Sequence, residues 1–400
     1  MTAPLDGLLV ADFSRVLAGP FATMYLADLG ATVVKVERPG SGDDTRAWGP
    51  PWTEHASSYF ESVNRSKLGI TLDLTDPGDL ALAVELAQRA DVLVENFRTG
   101  TLERLGLGYE QVRDGDLTAG RAANPGIVYA SITGYGSGAG ASIPGYDFVV
   151  QAVGGLMSIT GEPDGPAQKV GVALVDVLTG KDAVIGILAG IAARARTGLG
   201  LHVEVDLLSS LLGALVNQAS GYLATGNPPQ RLGNRHPSIA PYETLDCADG
   251  QLAVACGNDG QFRRLAAAVG APELADDAAY ATNGARVAHR DVLAATLAQR
   301  LRTASVAHWD GVLRAAGVPA GPVGDIGSAF RLAQDLGLEP TYAARPGQVA
   351  QVRNPVRLSG HDPGPGMPPP RLGEHDALVR GWLSGGDPRL ARLALDLTEC

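Results

Sequence analysis

Residues 8–36 read Leu8-Leu-Val-Ala-Asp-Phe13, then Ser14 and the loop Arg15-Val-Leu-Ala-Gly-Pro20, then Phe21-Ala-Thr-Met-Tyr-Leu-Ala-Asp-Leu29 closed by Gly30, then Ala31-Thr-Val-Val-Lys-Val36. A short apolar run, a breaker-rich loop, a helical stretch and a β-branched run predict a strand, a helix and a second strand. The pattern repeats outward. Ile70–Leu74 reads as a strand, Leu80–Arg89 as a helix and Val92–Glu95 as a strand, and Ile127–Ile132 follows the turn Asn124-Pro125-Gly126. Strands separated by helices of this length predict an α/β fold with a parallel sheet covered on both faces. Residues 177–195 form a long apolar helix, Thr197-Gly-Leu-Gly200 a turn, Leu201–Asp206 a strand and Leu207–Thr225 a further helix. The breakers of Gly226-Asn-Pro-Pro229 and Gly233-Asn-Arg-His-Pro237 then change the texture. Residues 240–330 read as a smaller α/β unit with strands Thr244–Asp246 and Gln251–Cys256. Beyond it, Asp362–Pro370 is extended and Glu374–Leu383 helical. Four hundred residues exceed one hydrophobic core. The expected division is a large domain from 1–200, a crossing linker 201–239, a small domain 240–330, and a return segment 331–400 completing the large domain.

The net charge is −11, and no basic block occurs, which argues against nucleic acid as a partner. The only lysines are Lys35, Lys67, Lys169 and Lys181. Cys247, Cys256 and Cys400 make no CxxC pair and no metal spacing, so no metal is expected. The apolar runs Ala183–Ala193 and Leu207–Val216 fall short of the roughly 20 residues that cross a bilayer. The first strand starts so early that no signal peptide is expected. These features together predict a soluble, cytoplasmic protein with reduced thiols.

Several constellations could carry chemistry. Strand, loop, helix, strand and Glu37 outline a dinucleotide-binding unit, but the loop lacks GxGxxG, so a nicotinamide or flavin cofactor is not expected. Glu37-Arg38 enters the Gly/Pro loop Pro39–Asp43, where Arg38 could hold a phosphate or simply lie on the surface. Asn64-Arg-Ser-Lys67 and Glu95–Arg104 offer Arg65, Lys67, Arg98 and Arg104 as cations or as ordinary surface charges. Tyr146-Asp147 opens a helix, as a site pair or as a plain cap. Asp176 stands alone in Val170-Gly-Val-Ala-Leu-Val-Asp-Val177, where a strand is expected to hand over to a helix. It could be an N-cap or a nucleophile, and a helix N-terminus would keep its carboxylate ionised. Cys256-Gly-Asn-Asp-Gly-Gln-Phe262 is a βα loop with free amides or an ordinary turn. No histidine lies between His55 and His202 and no GxSxG occurs, which excludes a serine hydrolase of that type.

Arg15–Met24, Asp28-Leu-Gly-Ala31, Val34–Gly40, Val94-Glu-Asn-Phe97, Ile132-Thr-Gly-Tyr-Gly136, Gly145-Tyr-Asp147, Asp176 with Thr179-Gly180, Gly257-Asn258 and Pro368–Gly373 together resemble the family III CoA-transferases. The resemblance runs from about residue 5 to residue 385. Gly42–Arg46, Trp48-Gly-Pro-Pro51, Gly155–Met157, Ile159-Thr-Gly161 and His236–Tyr242 look closest to the succinyl-CoA:dicarboxylate branch. The resemblance implies an interlinked homodimer, each subunit with a large Rossmann-like domain and a small α/β domain, and no resident cofactor beyond coenzyme A or acyl-CoA as substrate. It implies Asp176 as a nucleophile that carries CoA as an aspartyl thioester on its way from an acyl-CoA such as succinyl-CoA to a carboxylic acid, with a dicarboxylic acid expected from the branch. Val16, Leu17 and Ala18 would line the thiol end through backbone amides, and Arg38, Lys67, Asn96, Phe97 and Arg104 would hold the nucleotide. Tyr146 and Asp147 would flank Asp176, while Gly257, Asn258, Gly260 and Gln261 would cover the intermediate. Arg46, Arg235 and His236 are candidates for the distal carboxylate of the acceptor. Leu17 stands where formyl-CoA transferase has glutamine, which disfavours oxalate. The related α-methylacyl-CoA racemases resemble a His/Asp pair, with histidine where this chain has Tyr146; a non-catalytic CoA-binding protein is the remaining alternative.

Overall fold

The computed structural model describes residues 3–342, 349–362, 364 and 366–385. Cys400 lies outside the described residues, as do Pro363 and Pro365 of the stretch read as extended. Six strands form one sheet: β1 (Leu9–Asp12), β2 (Thr32–Glu37), β3 (Lys67–Thr71), β4 (Val92–Glu95), β5 (Val128–Thr133) and β6 (Leu201–Asp206). Their order is β3-β2-β1-β4-β5-β6 and every pairing is parallel. The chain reverses its direction of sheet growth between β1 and β4, which opens a crevice at their carboxyl ends. The inner strands β1, β4 and β5 are buried on both faces and are mostly apolar, whereas the edge strand β6 exposes His202 and Glu204. Leu93 faces one layer with Phe13, Leu86 and Trp382; its neighbours Val92 and Val94 face the other, with Leu26, Ile187 and Val203.

Several details differ from the sequence reading: the third strand is Lys67–Thr71 rather than Ile70–Leu74, which puts Lys67 inside the sheet. The first helix spans Ala18–Asp28 and takes in Ala18-Gly-Pro20, because a proline is tolerated in a first helical turn. The segment before Asp176 is not a strand; it runs irregularly into the helix Leu174–Thr197, whose N-cap is Ala173. The stretch 207–225 is two helices, Leu207–Ala214 and Val216–Thr225, interrupted where Val216 takes φ +42°.

The chain divides into two compact units. One comprises the described residues up to 156, 170–223 and those from 339 onward; the other comprises 157–169 and 224–338. The boundaries therefore fall at 224 and 338 rather than 240 and 330, and residues 157–169 group with the second unit. That unit holds an antiparallel sheet of β7 (Tyr242–Asp246), β8 (Gln251–Ala255) and β9 (Ala320–Pro322). It packs on helices through Leu252, Phe262, Leu297 and Leu313. Among the described residues, no helix is long and apolar enough to cross a membrane.

Candidate active site

The loops that leave β1, β4 and β5 wall a cleft of about 270 Å³. Arg15, Val16, Leu17 and Ala18 come from the first loop, Asn96, Phe97, Arg98 and Thr99 from the second, and Ile132–Gly134, Gly136, Gly140, Ala141 and Ile143–Tyr146 from the third; Asp44, Asp176 and Leu207 complete it. Two glycine contacts make the shape possible. Within the third wall the backbone crosses itself so closely that a Cβ on Gly134 would lie 2.7 Å from the Cα of Gly145. A Cβ on Gly180 would lie 2.7 Å from the Ala18 carbonyl oxygen, so a side chain there would push the Asp176 helix off the first loop.

Asp176 lies in the first turn of the helix Leu174–Thr197, and Ala173 offers that helix no side-chain cap. The cap comes from elsewhere. Asp147, the first residue of the helix Asp147–Val153, accepts the Val175 N–H on Oδ1 at 2.8 Å and the Gln151 amide on Oδ2 at 2.7 Å. One carboxylate therefore caps the helix and the other is left to the cleft. Burial, with Asp147 beside it, pushes the Asp176 carboxyl up to about 7. The helix N-terminus favours the ionised form, but withdrawal from water and a like charge outweigh it. Tyr59 stands near the same carboxylates: burial first, then Asp176, Asp147 and Asp43, push its phenol up to about 12. The ring meets Trp48 edge-on at 5.5 Å.

The structure brings Val16, Leu17, Ala18, Asn96, Phe97, Tyr146 and Asp176 to one cleft. Arg38 and Phe97 belong to an adjoining hollow of about 210 Å³ with Phe13, Leu72 and Leu74. The Arg15 guanidinium sits 5.3 Å from the Phe97 ring centre. Several residues singled out in the sequence are committed elsewhere. Lys67 is fully buried and its ammonium is bonded to Asp12, Asn64 and the Pro20 carbonyl, so it is no surface cation for a nucleotide. Arg65 is equally internal, in a two-pronged pair with Asp28. Arg46 grips Glu37 through two 2.7 Å bonds, reaches the Pro370 carbonyl and lies over the Phe60 ring, which leaves it no face for an acceptor acid. The Val16 N–H is taken by Asp43, and the Asn96 amide by the backbone of Arg15. Arg104 lines neither hollow; its guanidinium bonds Thr101.

In the second unit, Asn258 caps the helix Asp259–Ala268 by accepting the Gln261 N–H, while Gln261 accepts the Gly257 N–H; Gly260 lies in that first turn. Arg235 pairs with Asp291 and Glu243, and His236 accepts the Ser238 N–H. The sequence reading missed the role of Arg15 and of the wall 140–145. The signal was present: five glycines fall between 134 and 145.

A six-stranded parallel sheet in this order, with a carboxylate at its switch-point crevice, defines a Rossmann-like α/β fold with a ligand-sized cleft at the carboxyl ends of its strands. The family model for CoA-transferase family III matches residues 5–376, and the chain belongs to that family. It is a CoA-transferase. It is 44% identical to succinate–glutarate CoA-transferase of Agrobacterium fabrum, over 94% of each chain. It is 42% identical to acetyl-CoA:oxalate CoA-transferase of Acetobacter aceti, over 94% of this chain and 95% of the relative. A crystal structure of a CAIB/BAIF family protein from Brucella suis is 43% identical and superposes with a TM-score of 0.84, covering 96% of this chain and 100% of that one.

Proposed function

We propose that the enzyme moves CoA from succinyl-CoA to a second short dicarboxylic acid, of the size of glutarate, through an aspartyl-CoA thioester on Asp176. The observation that carries this reading is a carboxylate withdrawn from water at the cleft, with Asp147 as its charged neighbour. Such a group is poorly solvated and reactive once ionised. Its carboxylate attacks the thioester carbonyl, expels CoA thiolate and forms a mixed anhydride. The thiolate then attacks the aspartyl carbonyl, releasing the donor acid and leaving CoA on Asp176. The acceptor carboxylate attacks that thioester, and the released thiolate attacks the acceptor carbonyl of the new anhydride, which regenerates Asp176.

Succinate, succinyl-CoA and glutarate are named in the relatives, which supports the dicarboxylate reading. Oxalate is named in another relative, so the assignment of acids also draws on apolar Leu17 at the cleft. No histidine is among the cleft residues, which supports acyl transfer over a proton shift by a His/Asp pair. Arg38, Phe97 and Arg15 line the adjoining hollow, and we read them as the nucleotide contacts.

We read the working form as a homodimer. The helix Ile326–Asp335 buries none of its residues, and Ile326 is 79% exposed. Sedimentation at micromolar concentration should give the mass of two chains; one chain would overturn this. The buried free thiols Cys247 and Cys256 suit a reducing, cytoplasmic setting.

The test is Asp176→Ala. Exchange between succinyl-CoA and glutarate, followed by mass spectrometry of the acyl-CoA products, should fall by about 10³-fold or more while acyl-CoA binding persists. Full activity would overturn the reading.

A further inference from the structure

The segment Ser14–Pro20, which lines the cleft, is held at both ends by buried lysines. Lys35 Nζ donates to the Ser14 carbonyl at 3.1 Å, and Lys67 Nζ donates to the Pro20 carbonyl at 2.9 Å. Each lysine is neutralised by a carboxylate that also holds the segment. Asp43 pairs with Lys35 at 3.0 Å and accepts the Val16 N–H at 3.2 Å. Asp12 pairs with Lys67 at 3.0 Å and accepts the Ser14 N–H at 3.0 Å. Asn96 brackets the residue between, accepting the Arg15 N–H at 2.8 Å and donating to its carbonyl at 2.6 Å.

Two observations say that this arrangement serves more than stability. Val16 has φ +69°, a conformation costly for a β-branched residue and kept only where the surroundings dictate it. Both lysines are essentially inaccessible to water. A buried ion pair gives little or no net stability over well-packed apolar residues. Two such pairs, each ending on a carbonyl of the same seven-residue segment, fix geometry.

We propose that Lys35 and Lys67 are positioning residues for CoA transfer, clamping the two ends of Ser14–Pro20 so that Val16–Ala18 form a rigid wall of the cleft that holds Asp176. The inference rests on the reading of that cleft as the place where Asp176 exchanges CoA. Each acyl transfer needs the thioester carbonyl within about 3.5 Å of its attacker, and a misplacement of about 1 Å can cost a hundredfold in rate. A loosened wall therefore lowers turnover more than it lowers binding, because two of the three residues read as nucleotide contacts, Arg38 and Phe97, lie outside the segment and only Arg15 lies within it.

The experiment separates positioning from folding by removing each pair in two stages. Lys67→Met leaves Asp12 buried and unpaired; Asp12→Asn/Lys67→Met removes both charges. Lys35→Met and Asp43→Asn/Lys35→Met repeat this at the other end. The double variants should regain most of the melting temperature lost in the single ones. Their kcat should stay about tenfold or more below the parent, with KM for acyl-CoA within about threefold. Recovery of kcat together with melting temperature would make the pairs purely structural and overturn the proposal. Should the double variants fail to fold, Thr23→Val decides, because Thr23 Oγ1 donates to Asp12 at 2.6 Å and its loss strands no charge. A several-fold fall in kcat, restored in Thr23→Ser, supports the clamp; an unchanged kcat overturns it. Asp176→Ala in the same assay keeps the two readings apart: if that variant is active the reading of the cleft fails, whereas an inactive Asp176→Ala with fully active double variants sinks the clamp alone.

Discussion

On the inner side of the segment Ser14–Pro20, Asp12 and Asp43 meet Lys67 and Lys35; at the cleft, Asp176 meets Asp147. Asp12 and Asp43 are buried and Asp176 is partly so, and burial alone would raise the carboxyl of each of these three. At Asp12, Lys67 and Lys35 reverse that tendency, helped by bonds from Ser14 and Thr23, and the carboxyl falls below its usual range. At Asp43, Lys35 and the Thr45 bonds do the same. At Asp176 the neighbouring charge has the same sign as its own, and the carboxyl rises to about 7. Buried lysines thus partner the carboxylates that hold Ser14–Pro20, whereas the charge beside Asp176, the proposed nucleophile, is a like one. Satisfied charge fixes a shape, and unsatisfied charge reacts.

That contrast can be broken most forcefully at Lys67. Lys67→Met strands the Asp12 carboxylate in the interior, and the protein should lose about 3–5 kcal/mol of stability by chemical denaturation at pH 7. A loss under about 1 kcal/mol would mean that Asp12 is not held by charge. Asp176 should behave in the opposite sense. Its folded-state carboxyl titrates above the unfolded value of 3.8, so the folded protein binds the extra proton between those limits and stability falls as pH rises through about 7. Asp176→Asn removes that cost. It should raise stability at pH 8 by about 1 kcal/mol or more, with a smaller gain at pH 5, where Asp176 is already protonated.

The like charge of Asp147 sharpens the comparison further. Because only the carboxylate attacks, the rate of Asp176 acylation by succinyl-CoA should rise with pH to a limb near 7. Asp147→Asn keeps an acceptor for the Val175 N–H while removing the like charge. The limb should move to lower pH by a fraction of a unit, measured in single-turnover mixing, and a limb that stays or rises would remove Asp147 from the account.

Much of this was legible in the sequence because the fold obeys periodicity. β1, β2, β4, β5 and β6 were placed to within a residue or so, since apolar runs bounded by breakers leave few other readings. The lone acid in an aliphatic stretch marked Asp176. What sequence could not supply was partnership across the sheet. Lys67 looked like a ligand cation because residue type reveals charge but not that Asp12 lies 3.0 Å away from a neighbouring element. Arg46 misled in the same way through Glu37. The cap on the Asp176 helix was missed because it comes from Asp147, 29 positions earlier, rather than from a neighbour in the chain. One clue was available and unused: Lys35 interrupts Thr-Val-Val-Lys-Val, and a lysine inside a strand buried on both faces requires an internal partner.

The central claim is that Asp176 carries CoA covalently. The direct measurement is peptide mass spectrometry of enzyme turning over succinyl-CoA and glutarate in the presence of hydroxylamine, which would convert an aspartyl thioester to a hydroxamate. Modification should be confined to the peptide containing Asp176, depend on acyl-CoA and accompany loss of activity. Sustained exchange with Asp176 unmodified would contradict it.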